Sequence, residues 1–199
     1  MKELEKQVHD LARKNHVPIM MDDGMEFLLN YIETHTQIRD ILEIGTAVGY
    51  SSMRMAKIRW DMQIDTLEVN EDMYRQAIHN IEEAGLSDRI HVHLIDGAKF
   101  QTNTIYDLIF VDAAKSQYRR YLEHFYRNSR KGTIFIFDNL NFHGMVDDNS
   151  GTHNKSTLQL VHKIHKFREF ILQDPRFDTT FYSDVGDGVA VSVRKNEEE

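Results

Sequence analysis

The chain has 199 residues, with 24 Lys and Arg against 32 Asp and Glu, a formal net charge of −8 with His neutral. A general polyanion-coating protein should be basic, so that class is disfavoured, while a local basic patch stays compatible. Cysteine is absent, which removes disulfide scaffolds, thiolate zinc sites and cysteine nucleophiles, and suits a reducing compartment.

Residues 2–15 read as a helix. Its charged start, Met1-Lys2-Glu3-Leu4-Glu5-Lys6, has no signal-peptide apolar region. The break at His16-Val17-Pro18 ends it. A second helix is expected over 23–35, with Met25, Phe27, Leu28 and Tyr31 in its apolar stripe. Ile41-Leu42-Glu43-Ile44 has the pattern of a buried strand; a glycine turn from Gly45 to Gly49 and a helix over 51–59 follow. A strand over 64–69 leads to Asn70, which can cap a helix running to about Ala84 and stopped by Gly85. Residues 90–95 read as strand, and the apolar run 106–111 ends at Asp112. A helix over 117–129 precedes a strand over 132–137 that ends at Asp138-Asn139. The polar stretch 140–156 is the longest irregular segment. Ser156 or Thr157 is expected to cap a helix to about Gln173. Strands over 177–183 and 189–193 flank Asp184-Val185-Gly186-Asp187-Gly188, a hairpin signal.

This alternation predicts an α/β fold: a Rossmann-like, doubly wound, mostly parallel seven-stranded sheet with one antiparallel edge strand and helices on both faces. One domain is expected over 1–199, with N-terminal helices (1–36), a core (37–194) and a flexible tail (195–199) that ends in Glu197-Glu198-Glu199. No apolar run nears the roughly 18 residues of a membrane span, so a soluble cytoplasmic protein with no membrane partner is expected. In such sheets ligands sit beyond the carboxyl ends of the strands.

Four strand ends carry more than turn chemistry. Gly45 and Gly49 bracket a turn that lets backbone approach a ligand before a helix N-terminus. The alternative is an ordinary tight turn. Glu68 lies 23 residues after Gly45, where an acid can accept both hydroxyls of a ribose, or merely flank the next helix. Asp112 alone reads as a helix cap, and Asp138-Asn139 alone as an Asx turn. If their strands are neighbours, their ends lie about 5 Å apart. Two carboxylates and an amide oxygen then converge as hard ligands suited to Mg²⁺ or Ca²⁺. Lys115 stands three residues after Asp112, and beside a cation it can serve as a base.

In this order, Glu43-Ile44-Gly45-Thr46-Ala47-Val48-Gly49-Tyr50-Ser51, Leu67-Glu68-Val69-Asn70, Asp112-Ala113-Ala114-Lys115 and Asp138-Asn139 resemble the metal-dependent O-methyltransferases that use S-adenosylmethionine, the group of catechol and caffeoyl-CoA O-methyltransferases. With His16-Val17-Pro18-Ile19-Met20 and Gly24-Met25-Glu26, the chain is most similar to a bacterial branch that methylates 5-hydroxyuridine at the tRNA wobble position. The resemblance implies that Met20, Gly45, Ser51, Glu68, Ala98 and Asp112 contact the donor. Ser51 would take its carboxylate, Glu68 its ribose, and Ala98 would lie near its adenine. It implies that Asp112, Asp138 and Asn139 hold Mg²⁺ and that Lys115 is the base. Residues 140–157 depart from that branch, which carries a markedly basic segment here; this chain has Asp147, Asp148 and one lysine, Lys155.

Methyl transfer from a sulfonium is an in-line displacement by oxygen, and an acceptor with two adjacent oxygens can chelate the ion. Catechols have this pair, and so does 5-hydroxyuridine. The expected product is therefore 5-methoxyuridine in the tRNA anticodon loop, with a small catechol-like or caffeoyl-CoA-like acceptor as the alternative. Over 127–170, Arg127, Arg130, Lys131, Lys155, Lys163, Lys166 and Arg168 stand against Asp138, Asp147, Asp148 and Glu169, seven basic residues to four acidic. His143, His153, His162 and His165 add possible donors. This face reads equally as a solvated helix surface. A nicotinamide dehydrogenase would share the strand–turn–helix, but the G-x-G-x-x-G spacing is missing. A non-catalytic RNA-binding module would leave Lys115 and the acids without a purpose. The N-terminal helices and the family habit imply a homodimer.

Overall fold

Alternate residues of the central strands feed two separate cores. In the computed structural model, which describes residues 3–148 and 154–196, Leu108 and Phe110 of β4 (Leu108–Val111) pack with Ile134 and Ile136 of β5 (Ile134–Phe137) on one side. Ile109, Val111, Phe135 and Phe137 pack on the other. This two-sided burial is why these strands read as unbroken apolar runs. The first layer holds α1 (Glu3–Lys14), α2 (Asp22–Thr34), α3 (Tyr50–Ala56) and α4 (Glu71–Glu83); the second holds α5 (Tyr118–Phe125) and α6 (Lys155–Gln173).

Together with β1 (Asp40–Ile44), β2 (Gln63–Glu68), β3 (Ile90–Leu94), β6 (Phe177–Tyr182) and β7 (Val189–Arg194), the strands form one seven-stranded sheet in the order β3-β2-β1-β4-β5-β7-β6. Strands β1 to β5 are parallel. The antiparallel strand, β7, belongs to the edge hairpin and lies between β5 and β6. Strand order reverses between β1 and β4, so the crevice for a ligand opens above these two strands.

Local signals explain most boundaries. Asn70 caps α4 by accepting the Met73 N–H, and Gly85 follows with a positive φ of 67°. Three boundaries differ from the sequence pattern. The helix expected over 51–59 ends at Ala56. The one expected over 117–129 gives way after Phe125 to a tighter turn, Tyr126–Asn128. The cap of α6 is Asn154, which accepts the Ser156 and Thr157 N–H groups, in place of Ser156 or Thr157 themselves. His153 and the tail 197–199 lie outside the described residues. No helix among the described residues is long and apolar enough to cross a membrane.

Candidate active site

A cavity of about 900 Å³ opens above the strand-order reversal. Its walls come from the ends of β1 (Ile44, Gly45), β2 (Leu67, Glu68) and β4 (Asp112), and from the segment after α1, His16 to Met21. Among the described residues, five non-glycine residues have positive φ: His16, Ala47, Asn139, Phe142 and His143. All five line this cavity. Backbone held in a sparsely populated region concentrates where a site demands it, and here it does so at one place.

The floor is built by close approach. Gly45 has φ of 106° and receives the end of β4 against its Cα, with room for no side chain. Glu68 is buried and rigid. Its Oε2 accepts the Ala47 N–H at 2.8 Å, and its Oε1 accepts those of Val69 and Asn70, both at 2.8 Å. Each carboxylate oxygen offers about two acceptor directions, so capacity remains for hydroxyl donors from the cavity. Met20 is buried in the cavity wall.

Two expected donor contacts stand differently. Ser51 lines the cavity, but its hydroxyl donates to Glu43, as do those of Ser52 and Thr66. The proton expected for a ligand carboxylate is thus taken by a buried side chain. Burial pushes the Glu43 carboxyl up to about 7, and the three hydroxyls only partly offset this. Ala98 packs against the second core, while its neighbours Asp96 and Gly97 line the wall; Asp96 caps the short turn Gly97–Lys99 by accepting the Ala98 N–H.

Strands β4 and β5 are neighbours in register, Val111 opposite Phe137, so Asp112 and Asp138 follow as the next residues on each. Asp138 is 1% exposed. The Tyr118 hydroxyl, packed with Phe137 and Phe167, donates to its carbonyl at 2.9 Å. Its Oδ1 accepts the Asn139 N–H at 2.7 Å, and its Oδ2 has no partner. Burial first, and then the Asp112 charge, push the Asp138 carboxyl up. Asp112 is raised by burial and eased back by Lys115. Lys115, Asn139 and Asp112 line the cavity; Asp138 stands behind the wall.

A buried carboxylate oxygen without a partner, next to a second carboxylate and an amide, is unfavourable unless a cation or a proton joins them. This donor set of oxygens without His or Cys fits Mg²⁺. Among the described residues no three of His, Cys, Asp and Glu stand together as a ligand group, so a cation at this point would rest on two acids and the Asn139 amide.

Sequence reasoning missed three contributors: Arg13, the length of the His16–Met21 wall, and Asp187 on the hairpin turn. For this wall the sequence offers the Pro18 break and the His16-Val17-Pro18-Ile19-Met20 motif, which implies Met20 alone as a donor contact. The basic excess over 127–170 is partly neutralised from outside the segment, since Arg130 pairs with Asp107 at 2.6 Å, while Arg168 is held by Asp147 within it.

Comparison with known proteins agrees with this architecture. Residues 1–195 match the family model described as O-methyltransferase. A catechol O-methyltransferase from Niastella koreensis is 29% identical over 198 residues, covering 94% of this chain and 87% of that protein. A structure of a candidate caffeoyl-CoA O-methyltransferase from Staphylococcus aureus superposes with a TM-score of 0.90 at 29% identity, covering 96% of this chain and 91% of that one. The O-methyltransferase from Bacillus cereus in complex with SAH gives 0.82 at 29% identity, covering 98% and 92%.

Proposed function

This chain belongs to the O-methyltransferase family, and on that premise we propose that it moves the methyl group of S-adenosylmethionine to one oxygen of a small acceptor bearing two adjacent oxygens, a catechol-like or caffeoyl-CoA-like molecule. The observation that carries the reading is the unpartnered, buried Oδ2 of Asp138, just behind the wall that Asp112 and Asn139 give the cavity. Relatives named for catechol and caffeoyl-CoA support the acceptor class.

Glu68 accepts the ribose hydroxyls, its orientation fixed by three backbone N–H groups. Gly45 lets the donor lie against the turn, and Met20 closes the cavity over it. Asp112, Asp138 and Asn139 would hold a divalent cation. When bound, that ion supplies a Lewis acid that favours the ionised acceptor hydroxyl and fixes its direction. Lys115, on the wall between Asp112 and Gln117, takes the hydroxyl proton at Nζ as the neutral amine and becomes the ammonium. The wall residues Val17, Pro18 and Ile19 limit water around the sulfonium. The oxygen then attacks the methyl carbon as the carbon–sulfur bond breaks, leaving S-adenosylhomocysteine. Positioning of two bound reactants supplies much of the rate.

The test is methyl transfer from labelled S-adenosylmethionine to catechol, to caffeoyl-CoA, to a phenol with one oxygen and to total tRNA, each with and without chelator. The reading expects transfer to the first two, lost with chelator. Chelator-insensitive transfer, or equal transfer to the single-oxygen phenol, overturns it. Formation of 5-methoxyuridine in the tRNA arm, with catechols inert, would move the acceptor to the wobble nucleoside.

A further inference from the structure

The hairpin between β6 and β7 carries a carboxylate that no motif of the site contains. Asp187 is 7% exposed and lines the cavity with Lys115, Asn139 and His143. Its Oδ1 accepts the backbone N–H of His143 at 2.7 Å. Its Oδ2 has no hydrogen-bond partner; the nearest basic atom, His143 Nδ1, is 3.7 Å away. The turn that presents it is built on both sides. Gly186 (φ 54°) lies against Gly24 and donates its N–H to Asp23 at 2.9 Å. Gly188 (φ 83°) lies against Asn141, where a side chain would collide at 2.6 Å. The Asn141 and Leu140 N–H groups donate to the carbonyls of Asp187 and Gly188, both at 2.8 Å. The backbone of the turn is therefore fixed on both sides, and the carboxylate is anchored through Oδ1. A methyl built on its neighbour Gly186 would stand 3.7 Å from Asp138 Oδ1, which puts the turn directly over the cradle.

We propose that Asp187 is the outer carboxylate of the cation cradle, accepting through Oδ2 a proton of a water bound to the ion that Asp112, Asp138 and Asn139 hold. Two unpartnered, buried carboxylate oxygens, one on Asp138 behind the cavity wall and one on Asp187 in that wall, call for positive charge or proton donors between them. Direct ligation by three acids does not fit, since among the described residues no three acids converge to ligand distance. A small, hard cation keeps several of its waters, and those waters need acceptors. Outer partners of this kind set ligand orientation and affinity, typically by about 10- to 100-fold. Asp187 is thus a positioning residue whose charge and fixed oxygen strengthen ion binding, and its loop links the ion to α2 through Asp23 and Gly24.

This inference rests on the cation reading above, and the experiment separates the two. Mn²⁺ is titrated into the donor-saturated protein by calorimetry and by its paramagnetic resonance, for the wild type, D138N and D187N. In D187N the amide oxygen can still accept the His143 N–H, so the loop stays anchored, but no carboxylate oxygen faces the water. The expected result is stoichiometric binding to the wild type, loss in D138N, and a 10- to 100-fold weaker Kd in D187N with donor affinity and melting temperature retained. D187N binding Mn²⁺ as tightly as the wild type overturns the role of Asp187 while leaving the cradle intact. A wild type that binds no Mn²⁺ overturns both.

Discussion

A methyl group built on Gly45 would stand 2.0 Å from the carbonyl oxygen of Asp112. The turn at Gly45, proposed to carry the donor, and Asp112, proposed to hold the cation, are therefore fixed by one contact between the ends of β1 and β4. Gly45→Ala should lower stability by about 3 kcal/mol or more, because both the contact and a φ of 106° exclude a side chain. Thermal melts report the loss. Donor calorimetry should show binding reduced well beyond it.

Glu68→Ala should weaken donor binding by 10-fold or more. It removes the ribose acceptor and also leaves the Ala47, Val69 and Asn70 N–H groups without their carboxylate. Glu68→Gln should recover little, because an amide nitrogen would face backbone donors. Kd for S-adenosylhomocysteine is the readout.

Lys115→Met should reduce kcat by about 10²- to 10⁴-fold, the usual range for a lost acid–base group. Donor and Mn²⁺ affinities should change little. Raising the pH should recover part of the rate, since hydroxide then supplies the missing base. A variant with wild-type kcat and pH profile would remove Lys115 from the chemistry.

Glu43 gives the protein a pH signature. Its carboxyl is raised by burial to about 7 in the fold from 4.5 as an ordinary side chain. The folded state thus holds a proton that the unfolded chain releases between these values. The folding stability contributed at this position is greatest below about pH 4.5. It falls as pH rises through about 7, by roughly 3 kcal/mol. Glu43→Gln should flatten that part of the stability curve, as measured by urea unfolding from pH 4 to 8.

Much of the sheet is legible in the sequence because burial on both faces writes itself as unbroken apolar runs, as in Leu108-Ile109-Phe110-Val111 and Ile134-Phe135-Ile136-Phe137. Strand ends such as Asp112 and Asp138 stand out because a charge abruptly closes each run. Other features leave no such mark. Asp187 sits in Asp184-Val185-Gly186-Asp187-Gly188, which turn chemistry already accounts for; only packing against Gly24 and Asn141 shows that the turn aims a carboxylate. Ser51 reads as a free hydroxyl at a helix start, and its partner Glu43 lies eight residues back on β1. The positive charge counted over 127–170 reads as a surface, yet Arg168 reaches Asp147 and the Phe181 ring. Sequence counts charges without pairing them.

Everything proposed for the chemistry turns on a divalent cation caged between the ends of β4 and β5 next to the donor. Its most direct test is anomalous diffraction from crystals grown with Mn²⁺ and S-adenosylhomocysteine. One peak within ligand distance of Asp112, Asp138 and Asn139 is expected, with a water on the Asp187 side. A map with the donor product bound, no peak there, and those three side chains turned apart would contradict it.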